Sequence, residues 1–219
     1  SFQSIFLVRT HEITTGEAAI WINAPVALSA AIGTFATGWL ATRIYLKHPG
    51  AIAWIPALGL ALSIPFYLFA FTTQSLLFAA MGLILGGFVK YGYITAQYTI
   101  GQGVVSMRVR AMATAVMLFV VNLVGYGFGP LFIGAISDAF FASGAAELGV
   151  AAEELSRNQC HPSAVGALSG ALQEVCGQVY SQSLQSAMLI MACLYGASAL
   201  FFVLTWRRLG KDMVDRNQR

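Results

Sequence analysis

The chain has 219 residues, of which 58% are hydrophobic and only 10% are charged, and its formal net charge is +3. A mean hydropathy of +0.72 leaves too little polar side-chain surface to cover a soluble protein of this length. The composition therefore excludes a soluble domain and indicates an integral membrane protein. We do not interpret the small excess of basic residues as a sign of a nucleic-acid partner.

Five apolar stretches are each long enough to cross the hydrocarbon core of a bilayer, which takes about 20 helical residues. We name them the first to fifth spans in chain order: Ala18–Ala41, Ala51–Phe71, Leu76–Ile100, Ala111–Ala135 and Leu184–Trp206. Lys90 is the single charged residue within them. The apolar piece Ser1–Arg9 has no initiating Met and no basic leader, so we interpret it as the end of a further, truncated helix.

Basic residues gather at alternate connections, as the positive-inside rule requires. Nine of the twelve Lys and Arg residues follow the first, third or fifth span: Arg43, Lys47, Arg108, Arg110, Arg207, Arg208, Lys211, Arg216 and Arg219. This side is therefore predicted to be cytoplasmic, and the C-terminus with it. With the truncated piece, the chain has six crossings that begin and end at the cytoplasmic face. Such a unit is one half of a common transporter architecture.

The one long connection, about Ala139–Ser183, lies on the external side of this predicted topology. Its composition is compatible with short amphipathic helices at the membrane surface and also with a disordered loop. We expect Cys160 and Cys176 to form a disulfide there, the alternative being two unpaired thiols. Cys193, in the fifth span, is interpreted as a small packing residue. The three His residues stand in three different connections, so neither a metal site nor a cofactor is expected.

The spans differ in the arrangement of their polar residues. The second and fifth have no polar stripe, so we expect them to face lipid. The third has small and polar residues at separations of three and four, which places them on one helical face: Gly82, Gly86, Lys90, Tyr93, Gln97 and Gly101. The first and fourth spans add Asn23 and Asn122. We expect the first, third and fourth spans to line an interior.

These residues also have structural interpretations. Glycines four residues apart let helix backbones approach closely, so two pairs are interpreted as packing contacts: Gly82 with Gly86 and Gly125 with Gly129. Asn122 is also suited to a hydrogen bond between helices. Lys90 lies too deep to reach the membrane surface, and no carboxylate in the five spans neutralises it. We interpret Lys90 as functional, the alternative being pairing with backbone carbonyls or with an acid from elsewhere.

Several segments resemble motifs of a known transporter superfamily. Gly38–Arg43, with the sequence GWLATR, resembles the motif G-x-L-A-D-R that major facilitator superfamily transporters carry after their second and eighth helices. Three segments are similar to helix eleven of the spinster-like branch: Met107–Ala115, Asn122–Pro130 and Gly134–Asp138. Phe6–His11 together with Gly16–Ala18 is similar to the outer end of helix seven of that branch.

The resemblance implies an all-α fold in which the five spans are helices eight to twelve of a twelve-helix transporter. It implies that helices seven, eight, ten and eleven line the cavity and that nine and twelve stay outside. A missing N-terminal six-helix half is the expected partner, together with the lipid bilayer. The motif departs from the family at Thr42, which replaces an acid, so the ion pair of that acid at the cytoplasmic gate cannot form. Arg43 is then expected to act as a topological anchor.

We therefore expect a fragment of a secondary active transporter of the inner membrane, and not an enzyme. Spinster-like animal proteins move lysolipids and sphingoid phosphates, so the resemblance implies an amphipathic anion as the substrate. The candidate substrate contacts are Lys90, Tyr93, Gln97, Asn122 and Asn23. The five spans contain no Asp, Glu or His, so any proton coupling needs an acid in the missing half.

Three alternative functions differ in the residues that they require. An organic-anion or sugar-acid permease of the same superfamily would use Lys90 in the same way. An intramembrane enzyme would need converging catalytic groups, which the spans do not offer. A channel would need a ring of repeated polar groups, which a single chain of this length cannot supply without forming an oligomer.

Overall fold

The computed structural model describes residues 6–8, 13–45, 48, 50–147 and 170–212. These residues are helical apart from short connections, as the sequence predicts. Five helices are long and apolar enough to cross a membrane: Thr15–Tyr45, Ala51–Thr72, Leu76–Gly103, Met107–Gly144 and Ser181–Leu209. Each predicted span lies within one of them, and we keep the names first to fifth span for these helices.

Three of the five spans are not uniform α-helices. The first consists of Thr15–Ala18, a π-helical stretch Ala19–Asn23, and Ala24–Tyr45. The third is broken into Leu76–Lys90 and Gly92–Gly103. The fourth has a 3₁₀ turn followed by α, π and α segments: Met107–Val109, Arg110–Val120, Val121–Phe128 and Gly129–Glu147. π-helical turns inside α-helices are frequently found at functional sites.

The core of the structure lies where the second, third and fifth spans meet the helical residues 6–8. Phe6 and Leu7 are almost fully buried, and the ring of Phe6 meets that of Phe71 edge-on at 5.4 Å between centroids. The side-chain amide Nε2 of Gln185, on the fifth span, donates a 2.6 Å hydrogen bond to the carbonyl oxygen of Phe71. This bond satisfies a backbone acceptor in the last turn of the second span, which has no partner within its own helix.

The second span is packed more extensively than the sequence predicts. Eleven of its 22 residues are buried, and only its other side exposes large side chains such as Leu58, Leu62 and Phe69. The expectation that this span faces lipid is therefore wrong for half of its surface. A helix without a polar stripe fits a protein interior as well as it fits lipid, so the pattern does not distinguish the two.

One of the two predicted glycine packing contacts is confirmed. A Cβ atom placed on Gly82 would lie 2.9 Å from Cβ of Ala70, and one on Gly86 would lie 3.0 Å from the ring of Tyr67. The second and third spans therefore approach each other closely because these positions have no side chain. Gly125, in contrast, has no atom of the described residues within 4 Å of such a Cβ.

The fourth span is held at its two ends and stands apart in the middle. Near its start, Nε2 of Gln102 donates a 3.1 Å hydrogen bond to Oγ1 of Thr114. Near its end, the hydroxyls of Ser137 and Ser183 lie 3.5 Å apart. Every residue of the π-helical segment between them is exposed. Within the described part of the chain, this span leaves its middle unpacked.

The predicted long connection is shorter than expected, because helices extend into it from both sides. The helix of the fourth span continues to Glu147, and that of the fifth begins at Gly170. Cys160 lies outside the described residues, as does the side chain of Cys176, so their disulfide stays a prediction. Cys193 is exposed, and its interpretation as a packing residue is therefore wrong.

The close contact at Gly86 gives a prediction about stability. Gly86→Leu should lower the free energy of unfolding by about 1 to 3 kcal/mol, because the new side chain must displace the ring of Tyr67. Gly125→Leu is the matched control and should leave it unchanged or slightly higher, since Leu is the better helix former. Reversible unfolding in a mixed detergent measures both. Equal effects of the two substitutions would contradict the packing described here.

Candidate functional site: a cavity beside Lys90

The third span is interrupted at the position of its one charged residue. Lys90 is the last residue of the helix Leu76–Lys90, Tyr91 forms the turn, and Gly92 is the first residue of the helix Gly92–Gly103. A Cβ on Gly92 would lie 2.5 Å from the side chain of Thr37, so only glycine allows the first span to approach here. The carbonyl oxygen of Tyr91 accepts hydrogen bonds from Oγ1 of Thr34 at 3.3 Å and from the N–H of Ile94 at 3.1 Å. The break therefore leaves this acceptor satisfied, as a membrane requires.

The side chain of Lys90 is buried among aromatic rings. It is 9% exposed, and its Nζ donates a 3.3 Å hydrogen bond to the hydroxyl of Tyr195. Nζ also lies 4.6 Å from the ring centroid of Tyr91 and 5.0 Å from those of Tyr67 and Tyr195. We call these three residues the tyrosine cage. They come from the second, third and fifth spans, so the cation connects three helices.

Aromatic rings and the carbonyl end of a helix stabilise this ammonium. The negative face of each ring attracts a cation, most strongly where water is excluded. Lys90 also ends a helix, where the carbonyl groups carry partial negative charge. These contacts offset part of the cost of a charge in hydrocarbon without neutralising it. The ammonium therefore remains an attractive partner for an anion.

A cavity of about 540 Å³ opens beside Lys90 between the third and fifth spans. Its polar lining comes mainly from Lys90, Tyr91, Tyr93, Gln97, Tyr195 and Ser198. Leu60, Phe201 and Phe202 give it an apolar wall. The lining contains no carboxylate among the described residues. The volume is within the range of small-molecule sites, and the combination of a cation with an apolar wall suits an amphipathic anion.

The structure brings together three of the predicted substrate contacts. Lys90, Tyr93 and Gln97 line the same cavity, as their helical spacing predicts. Asn122 is exposed on the fourth span, and its Nδ2 donates a 2.7 Å hydrogen bond to the carbonyl of Leu118 in its own helix. Asn23 is half-buried in the π-helical turn of the first span. Neither Asn is part of the lining, and their substrate contacts stay predictions.

Tyr195 is the main residue that the sequence interpretation missed. It lies on the fifth span, which was expected to face lipid, yet its hydroxyl accepts the hydrogen bond from Lys90. A phenol near the middle of an otherwise apolar span was the available signal. Ser198 and Thr205 bond to carbonyls of their own helix, those of Leu194 and Phe201. Their positions in the cavity wall were not predicted.

The predicted gating motif forms contacts within and beside its own helix. A Cβ on Gly38 would lie 3.2 Å from the side chain of Thr95, so the first and third spans are close there. The hydroxyl of Thr42 donates a 2.8 Å hydrogen bond to the carbonyl of Gly38. The guanidinium of Arg43 lies 4.2 Å from the ring centroid of Trp39. The replacement of an acid by Thr42 thus leaves Arg43 stacked on an aromatic ring, and its role as an anchor stays a prediction.

The described residues offer binding groups and no metal centre. No group of three or more His, Cys, Asp or Glu among them is arranged to hold a metal ion. The cavity provides an ammonium, phenols, an amide and hydroxyls. This set can bind and orient an anion.

The chain is similar to two solved structures of one kind of protein. They show a bacterial homologue of the human lysosomal transporter Spinster, inward-facing, in occupied and unoccupied conformations. For the occupied structure the TM-score is 0.85 and the identity 34%, over 99% of this chain and 46% of that one. For the unoccupied structure the TM-score is 0.83 and the identity 34%, over 99% and 45% of the two chains.

A further relative is known by sequence, an MFS-type efflux pump of Mycolicibacterium smegmatis (strain ATCC 700084 / mc(2)155). It is 27% identical over 139 residues, which are 64% of this chain and 32% of that protein. No protein-family model matches the chain. The chain spans less than half the length of each of these relatives.

The fold is therefore that of one half of a major facilitator superfamily transporter, and the chain is a multi-pass membrane protein. Within that superfamily, the comparisons confirm the resemblance to the spinster-like branch.

The contact between Lys90 and Tyr195 can be tested by a double-mutant cycle. Lys90→Met and Tyr195→Phe should show a coupling of about 1 kcal/mol in the free energy of unfolding, because each removes the same hydrogen bond. Lys90→Met with Tyr93→Phe is the matched control, and its coupling should be close to zero. Additive effects of Lys90→Met and Tyr195→Phe would show that the hydrogen bond contributes nothing.

Proposed function

We propose that this chain is the C-terminal half of a secondary active transporter for an amphipathic organic anion, whose anionic group binds Lys90. The observation that carries the proposal is the ammonium of Lys90, which meets no carboxylate among the described residues, at the wall of a cavity of about 540 Å³. An intramembrane charge of this kind is rare and costs roughly 3 kcal/mol by the most lenient insertion scale. An anionic substrate that offsets this cost gains affinity from the same contact.

The cavity offers different surfaces to the two parts of such a substrate. The hydroxyl of Tyr195 and the amide of Gln97 can donate further hydrogen bonds to a phosphate or carboxylate held by Lys90. Leu60, Phe201 and Phe202 provide the apolar wall for a tail. The volume accommodates a head group with a short part of its chain, so a longer tail would extend along the fifth span.

The predicted topology and the relatives support the rest of the proposal. The basic connections support a cytoplasmic C-terminus, and we propose the inner membrane as the location of the protein. The relatives are named as transporters, and the chain covers less than half of each. Proton coupling would rest on an acid in the proposed N-terminal half, because the five apolar stretches predicted from the sequence contain no Asp, Glu or His.

A second candidate is an organic-anion or sugar-acid permease. It is favoured by the additional polar groups in the cavity wall, the hydroxyls of Tyr93 and Ser198 and the amide of Gln97. Competition by dodecyl phosphate and by gluconate in the same uptake assay distinguishes the two candidates. The amphipathic proposal expects dodecyl phosphate to compete at a much lower concentration, because only its chain uses the apolar wall.

The role of Lys90 is tested in the full-length carrier. Lys90→Met should reduce the uptake of dodecyl phosphate into proteoliposomes at least about tenfold, since it removes the charge opposite a buried anion. Lys90→Arg should retain part of the activity, because it keeps the charge with a different donor geometry. Arg108→Met removes an exposed cation outside the cavity and is the matched control. Uptake at the parental rate by Lys90→Met, with equal amounts of protein, would show that Lys90 is structural.

The need for a second half gives a separate prediction. In the chain alone, the middle of the fourth span, with Asn122, would face hydrocarbon, which is unfavourable for a polar amide. Liposomes with this chain alone should therefore show no saturable uptake of dodecyl phosphate, and co-reconstitution with the N-terminal half should restore it. Saturable uptake by the chain alone would contradict the proposal that it is half of a carrier.

A further inference from the structure

A second cavity of about 510 Å³ lies at the basic end of the third and fifth spans. Ile100 and Val104 line it from the third span, and Arg207 and Arg208 from the fifth. Phe201 and Thr205 line both this cavity and the one beside Lys90. The two cavities are therefore neighbours along the fifth span, and we call their combined lining, from Lys90 to the end of the fifth span, the basic groove.

The charges of the basic groove are separated by an apolar stretch. Tyr195, which is bonded to Lys90, and Arg208 lie on the same helix, about 20 Å apart at about 1.5 Å per residue. Phe201 and Leu204 lie between them, and Thr205 adds one hydroxyl. No carboxylate lines either cavity in the part of the chain that is described. The groove therefore presents cations at both ends and an apolar wall between.

We propose that Arg207 and Arg208 form an entry site that captures the anionic group of the substrate before it moves along the basic groove to Lys90. The proposal rests on the proposed function, since both sites take the same amphipathic anion. Exposed guanidinium groups bind phosphate and carboxylate through paired hydrogen bonds, and they attract anions over a distance at low ionic strength. While the anionic group is held at the arginines, the tail contacts the apolar wall.

The position of Arg207 and Arg208 distinguishes an entry site from topological anchors. Four arginines of the same predicted membrane side are exposed in the structure: Arg43, Arg108, Arg207 and Arg208. Only the last two line the basic groove. If the arginines are only topological anchors, replacing any pair of them should change the rate of substrate association equally. If Arg207 and Arg208 form an entry site, only their replacement should slow association. Replacing two arginines by Gln in each pair changes the net charge equally.

The experiment measures binding to this chain, because both cavities lie within it. The chain is reconstituted in phosphatidylcholine nanodiscs, and association of a dansyl-labelled alkyl phosphate is followed by energy transfer from tryptophan. The double variant Arg207→Gln/Arg208→Gln should slow association about fivefold at low ionic strength and reduce its dependence on salt. The control Arg43→Gln/Arg108→Gln should change the rate by less than about twofold. Equal slowing in both double variants, or in neither, overturns the entry site.

Two further measurements separate this proposal from its alternatives. Lys90→Met should leave the association rate and its salt dependence unchanged and accelerate dissociation about tenfold. Unchanged dissociation would contradict the role of Lys90, while the effect of the Arg207→Gln/Arg208→Gln variant would still support capture at the groove. Adding phosphatidylglycerol to the nanodiscs should slow association by the same factor in the parent and in the Arg207→Gln/Arg208→Gln variant, because its negative charge repels the anion without occupying the groove. If it slows the parent and leaves the Arg207→Gln/Arg208→Gln variant unchanged, the groove binds bilayer lipid and the proposal is wrong.

Discussion

The ammonium of Lys90 is the charge around which the structure is arranged. It lies at the break of the third span, 9% exposed, within a cage of tyrosines from three spans. The cage depends on close packing, because the ring of Tyr67 lies against Gly86, one turn before Lys90. Without that glycine the second span could not bring its ring to the cation. The close packing of the second and third spans therefore also determines the surroundings of the charge.

The same arrangement explains why a cavity lies beside the cation. The cavity lies between the third and fifth spans, and Lys90 and two of the caging tyrosines, Tyr91 and Tyr195, are part of its lining. The tyrosines stabilise the cation through their π faces and supply no negative charge. An anion can therefore bind Lys90 without displacing a carboxylate. This combination of a stabilised cation and an adjacent open space is the reason for proposing that the substrate is an anion.

The membrane spans and three residues of the cavity could be predicted from the sequence, whereas the contacts between helices could not. A charge in a membrane span is conspicuous, and helical periodicity correctly placed Lys90, Tyr93 and Gln97 on one face. The role of Tyr195 could not be derived, because periodicity describes one helix and does not identify the neighbouring helix. The burial of the second span was missed for a related reason, since lipid and protein interiors select the same apolar residues. The helical extension to Glu147 was missed because Ala-rich sequence is compatible with both helix and loop.

The central claim is that the substrate's anionic group binds Lys90, and a structure of the full-length carrier with dodecyl phosphate bound tests it most directly. The account predicts that the phosphate lies within hydrogen-bond distance of Nζ of Lys90 and that the alkyl chain lies along Phe201 and Phe202. Phosphate bound instead between Asn23 and Asn122, with the hydrogen bond from Lys90 to Tyr195 unchanged, would contradict it.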